Sequence, residues 1–116
     1  MKIHREGTAL YDEGKYKEAI EKFLEASQLY EKVKNFFDSS YTLYKAAECS
    51  YLLKDYKTAT EDFLKAAHIS FDKGFDRFGI SAWEYALDCY KATGEEEEAR
   101  ELKKKIEEAK VKASAM

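Results

Sequence analysis

Two thiols, two imidazoles and 23 carboxylates are the groups of this 116-residue chain with chemistry to offer. Cys49 and Cys89 could carry redox or metal chemistry, yet neither sits in a CxxC pair or a histidine-rich stretch, and two cysteines are too few for a secreted disulfide scaffold. His4 and His68 fall in different helical patterns with no cysteine or paired carboxylate at ligand spacing, so no metal site is expected. The sequence has no nucleophile elbow, phosphate loop or dinucleotide fingerprint, and neither Gly14 nor Gly94 belongs to a glycine cluster. Carboxylates on amphipathic helices more often solvate a face than move protons. The reading is a chain that is not an enzyme and takes no metal or cofactor, kept reduced in the cytoplasm.

What remains is chemistry of contact. Nine tyrosines, seven phenylalanines and one tryptophan give surfaces that bind through area and a few hydroxyls. A net charge of -3 supplies no uniform positive field, so sequence-independent nucleic-acid binding lacks its main driving term. No run of about 18 apolar residues exists to cross a bilayer, and Met1 to Glu6 is not followed by the apolar core of a signal peptide. The absence of proline and the presence of only 5 glycines leave a chain that can be helical nearly end to end.

The elements that position these residues follow from an internal echo. Sliding the chain by 40 residues aligns Gly14 to Ala26 with Lys54 to Ala66, with Tyr16/Tyr56, Lys17/Lys57, Ala19/Ala59, Glu21/Glu61, Phe23/Phe63, Leu24/Leu64 and Ala26/Ala66 identical. A further step places Gly94 under Gly14, Ala99 under Ala19 and Ala59, and Cys89 under Cys49 and Ala9. One domain, 1–116, therefore holds three copies, approximately 1–34, 35–74 and 75–113. Apolar residues recurring at three and four predict two helices per copy. The first helices fall near 2–13, 36–53 and 76–93, and the second near 16–33, 56–73 and 95–112. Gly14 and Gly94 are expected to end helices in the left-handed conformation, with Asn35 and Gly74 in that part between copies.

These residues resemble the tetratricopeptide repeat, whose signature includes Ala-x3-Phe in the second helix. Tyr16, Ala19, Phe23 and Ala26, then Tyr56, Ala59, Phe63 and Ala66, carry the match. The first helices keep fragments of the family's pattern in Ile3, Gly7 and Leu10, in Leu43, Ala46 and Ala47, and in Trp83, Ala86 and Tyr90. The period of 40 rather than 34, with no closing proline, is similar to the long-repeat branch that contains the soluble NSF attachment proteins. The resemblance implies an all-α fold, a right-handed superhelical stack of three helix-turn-helix hairpins. Phe23 and Phe63 would interlock neighbouring copies, while Lys103 and Glu96 at the matching places make the last helix a cap.

In this family the first helices line a concave surface that holds partners. On the second copy Tyr41, Tyr44, Glu48 and Tyr51 fall at +3, +4 and +3, one face of a helix. The corresponding places are His4, Thr8 and Tyr11 in the first copy and Ser81, Glu84, Asp88 and Lys91 in the third, with Arg5, Lys45 and Tyr85 beside them. The resemblance implies a protein-protein interaction module that binds an extended or amphipathic helical segment of another protein there, with tyrosines as the floor. The family's clamp for an acidic carboxy terminus needs Lys, Asn and Arg where this chain has His4, Thr8, Lys45, Ser81 and Tyr85, so that activity is not expected. Two alternatives follow from other features. The first helix is expected to leave Phe23, Ile20 and neighbouring apolar surface incompletely covered, which would suit self-association. Phe36, Phe37, Phe71, Phe75 and Phe78 near the inter-copy turns either staple those turns or touch a membrane.

Overall fold

Five turns of one geometry divide the chain. Gly14, Lys34, Lys54, Gly74 and Gly94 have φ of 77, 61, 64, 83 and 75°, a left-handed residue every 20 positions. Around each, two backbone bonds close the preceding helix: Gly14 N–H donates to the Tyr11 carbonyl at 3.0 Å and Lys15 N–H to that of Leu10 at 2.9 Å. The same pair recurs at Lys34 and Asn35, Lys54 and Asp55, Gly74 and Phe75, and Gly94 and Glu95. This Schellman arrangement satisfies the last carbonyls of a helix and reverses the chain in few residues.

A computed structural model describes residues 1–115. Between the turns run α1 (Lys2–Asp12), α2 (Tyr16–Lys32), α3 (Phe36–Leu52), α4 (Tyr56–Asp72), α5 (Asp76–Thr93) and α6 (Glu96–Ser114), and there is no strand among the described residues. Each helix packs on the next in chain order, within principal extents of 37 × 32 × 20 Å.

Asn35 does not take the left-handed conformation; Lys34 does. Asn35 instead caps α3, its side-chain oxygen accepting from Asp38 N–H at 3.2 Å, a role its short amide serves better. Asp55 caps α4 in the same way through Thr58 N–H at 3.3 Å.

Phe23 and Phe63 are fully buried, each removal from water being worth roughly 1.5–3 kcal/mol. Small residues let the helices close around them. A Cβ built on Gly7 would lie 2.9 Å from two ring atoms of Phe23, which explains a glycine inside α1. Two buried serines pair across the helices: the Ser27 hydroxyl donates to the Ser39 carbonyl at 2.8 Å and the Ser39 hydroxyl to the Ser27 carbonyl at 3.0 Å, tying α2 to α3. On α6, Leu102 and Ile106 are buried with Ala99, Ala109 and Ala113 beside them, and the rest of the helix is exposed.

Cys49 and Cys89 are free and fully buried, and burial pushes the Cys49 thiol up to about 11, away from the thiolate that redox or metal chemistry needs. Ala9, in the corresponding slot of α1, is exposed. The slot is sealed only where a hairpin precedes it in the stack.

Candidate functional site

The helices α1, α3 and α5 meet along one face through side chains, and most residues singled out above lie there. At the junction of α1 and α3 the Tyr11 hydroxyl donates to Glu48 Oε2. Lys45 Nζ stands 3.0 Å from Glu48 Oε1 and 3.8 Å from the centroid of the Tyr11 ring. Lys45 and Glu48 side chains keep 17% exposure each, and their pairing leaves the trio close to neutral. The Glu48 hydrogen bond, reinforced by burial, drives the Tyr11 phenol far above its ordinary range.

Farther along the same junction His4 shares a 2.9 Å hydrogen bond with the Tyr30 hydroxyl. Its ring lies 5.9 Å from Tyr41 and edge-on to Phe23 at 6.2 Å. Burial lowers the His4 pKa, with Asp38 acting in the opposite sense. Thr8 is exposed and donates to the His4 carbonyl at 3.2 Å, and Arg5 is exposed beside it.

Between α3 and α5 the tyrosines form a closed set. Tyr85 meets Tyr44 at 5.6 Å and Tyr51 at 5.7 Å, both edge to face, and stacks on Phe63 at 5.0 Å with planes 12° apart. Tyr44 also packs on Phe63 at 5.4 Å and on Phe78 at 4.8 Å, and its hydroxyl lies 3.3 Å from Ser81 Oγ. Burial pushes the Tyr44 phenol up to about 12. Asp88 is exposed near Tyr51, whose pKa burial raises first and the Asp88 charge further. The tyrosines are thus half-buried mortar between helices as well as surface, each offering an edge and a hydroxyl rather than a whole ring face.

Glu84 does not join this set. Its carboxylate lies 3.0 Å from Lys110 Nζ on α6, both side chains about half exposed, so it faces the last helix. Two members were missed by the sequence reading. Phe78 stands three residues before Ser81 and seven before Tyr85, a helical face legible in the spacing. Tyr30, from α2, has no such signal because it reaches the site across a hairpin. Of the phenylalanines near the turns, Phe71 packs on Trp83 at 4.3 Å and Phe75 on Phe37 at 5.2 Å, so they staple the turns. Phe37 alone of the five is exposed, at 47%.

Among the described residues no group of three or more His, Cys, Asp or Glu side chains is arranged to hold a metal ion, and no helix is long and apolar enough to cross a membrane. Comparison of the chain with protein-family models and with curated proteins yields no match.

Proposed function

We propose that this chain is a tetratricopeptide-like solenoid, a right-handed stack of three hairpins, and that it works as a non-enzymatic module holding a segment of another protein on the face built by α1, α3 and α5. The observation that carries the reading is the continuity of that face. His4, Tyr41, Phe78, Tyr44, Tyr85 and Tyr51 link three helices into one aromatic strip, Tyr11 is tied to α3 beside it through Glu48 and Lys45, and the exposed Arg5, Thr8 and Asp88 border it. A rigid strip of half-buried tyrosines with charges of both signs at its edge suits an amphipathic segment. Lys45 is already paired with Glu48, so a highly acidic tail would find little unspent positive charge.

The test must spare the tyrosines, because Tyr44 and Tyr85 pack on Phe63 and alanine there would loosen the core. Peptides selected from a displayed helical library against the full chain would be titrated by NMR. Shifts should map to α1, α3 and α5, and the double variant Arg5→Glu/Asp88→Lys should weaken binding at least about tenfold. Shifts elsewhere, or no saturable binder, would reject the reading.

A further inference from the structure

Hairpin surfaces in this chain are covered in one consistent way. In the first hairpin Leu10, Tyr16, Ala19, Ile20 and Phe23 pack around Ala46 and Cys49 of α3. Forty residues on, Tyr51, Tyr56, Ala59 and Phe63 share a core with Ala86 and Cys89 of α5. After another forty the corresponding positions line an open cleft of about 370 Å³ between α5 and α6. Its floor is Leu87, Tyr90 and Ala99, and its rim carries Lys91, Arg100 and Lys103, with Glu96 as the acid among its lining residues. Arg100 stands where Ile20 and Thr60 stand, and Lys103 where Phe23 and Phe63 stand. The receiving geometry persists while its edge has become cationic.

The inserted helix face has changed in the matching sense. Twice within the chain it carries Ala-x2-Cys, at Ala46 and Cys49 and at Ala86 and Cys89; on α1 the same places hold Glu6 and Ala9. Ala9 is exposed, and Glu6 keeps 40% side-chain exposure at 3.5 Å from Lys22. A second pair follows by the same register, since the contact between Tyr44 and Tyr85 has Glu84 and Arg5 as its counterpart one copy later.

We propose that a second copy of this chain docks head to tail, its α1 seated in the α5–α6 cleft with Glu6 against Lys103 and Arg5 competing with Lys110 for Glu84. Lys91, the counterpart of Tyr51, lies near the incoming Arg5 and opposes it, which keeps the association weak and reversible. The contact joins two different surfaces, so nothing in it stops assembly at a dimer, and average size grows with concentration. Ion pairs at its edge make it sensitive to salt. Arg5 borders both this contact and the proposed partner-binding face, so the variants that test the contact are placed at Glu6, Ala9 and Lys103, outside the aromatic strip.

Sedimentation of the full chain over a concentration series at low salt tests it. The weight-average mass should rise above 13.5 kDa with concentration and fall back as salt is added. Lys103→Glu alone and Glu6→Lys alone should each weaken association at least about tenfold, and the double variant, which restores opposite charges across the contact, should recover it. Ala9→Arg, at an exposed position, should block the seat while circular dichroism stays unchanged, and Lys103→Glu reads the receiving side even if a change in α1 unfolds that helix. A wild-type chain that stays monomeric throughout, single variants that associate normally, or a double variant that fails to recover would each overturn the proposal.

Discussion

The phenol of Tyr11 on α1 donates to Glu48 on α3, while Lys45 grips the other oxygen of that carboxylate and covers the Tyr11 ring. Three side chains thereby pin the first helix across the hairpin boundary, where the neighbouring backbone contacts come mainly from α2. Tyr11→Phe should lower stability by about 1–2 kcal/mol in urea unfolding, as expected for a hydrogen bond to a charged acceptor. Amide exchange should quicken first in α1. Because the folded phenol titrates above its unfolded value near 10, its contribution is fully present below about pH 10 and is lost as pH rises through the folded value. The gap between wild type and Tyr11→Phe should therefore shrink in strong alkali.

Gly7 is held to glycine by Phe23. Alanine there gains up to about 1 kcal/mol of helix propensity but places a Cβ 2.9 Å from two atoms of a ring with no exposed surface. Overpacking of that kind costs about 1–3 kcal/mol, so Gly7→Ala should be destabilising on the order of 1 kcal/mol. The double variant Gly7→Ala/Phe23→Leu should lose less than the sum of the two single changes, since the smaller side chain vacates the clash. Strict additivity in thermal melts would reject this account.

Lys34 and Lys54 adopt the conformation that glycine holds at the three equivalent turns. Left-handed backbone costs a non-glycine residue roughly 1–2 kcal/mol, and glycine gives back about 0.4–1 kcal/mol through the unfolded chain. Lys34→Gly and Lys54→Gly should each raise stability by about 0.5–1 kcal/mol by that difference. Gly94→Ala should lower it by about 1 kcal/mol, purely through backbone strain, because nothing lies within 4 Å of the added Cβ.

These turns also mark where the sequence could and could not be read. The 40-residue echo placed all six helices because buried Ala19, Phe23, Ala59 and Phe63 sit at repeating positions under the same packing demand. The finer 20-residue period of the turns stayed hidden because the two helices of a hairpin bury different faces and share little sequence. Lys54 aligns with Gly14, so its left-handed backbone had a signal. Asn35 misled because asparagine favours both a helix cap and the left-handed region, and the cap prevailed. On the site, spacing put Tyr41, Tyr44 and Tyr51 on one face but could not say how much of each ring the next helix covers. Glu84 left that face for Lys110 because α6 lies within reach of it, a contact between hairpin partners that no within-helix pattern encodes.

Asp62 is a buried carboxylate on α4, 9% exposed, and among the described residues no cation lies within ion-pair distance of it. The matching positions use two other solutions: Lys22 pairs with Glu6, and Leu102 is simply buried. Burial raises the Asp62 pKa, with Lys65 pulling the other way. A carboxyl whose folded value is raised binds its proton more tightly when folded, so its contribution favours the fold below the unfolded value near 3.9 and is lost as pH rises through the folded one. At neutral pH the charge is therefore a liability. Asp62→Asn should stabilise the chain by about 1 kcal/mol at pH 7, and Asp62→Leu, which installs the side chain of the third copy, should do so by more. Both gains should fade as pH falls toward 4, because the wild-type carboxyl is then protonated as well. Urea midpoints of the three chains from pH 3.5 to 8 check this; an advantage for Asp62→Asn that grows on acidification would show that the carboxylate holds the helix rather than burdening it.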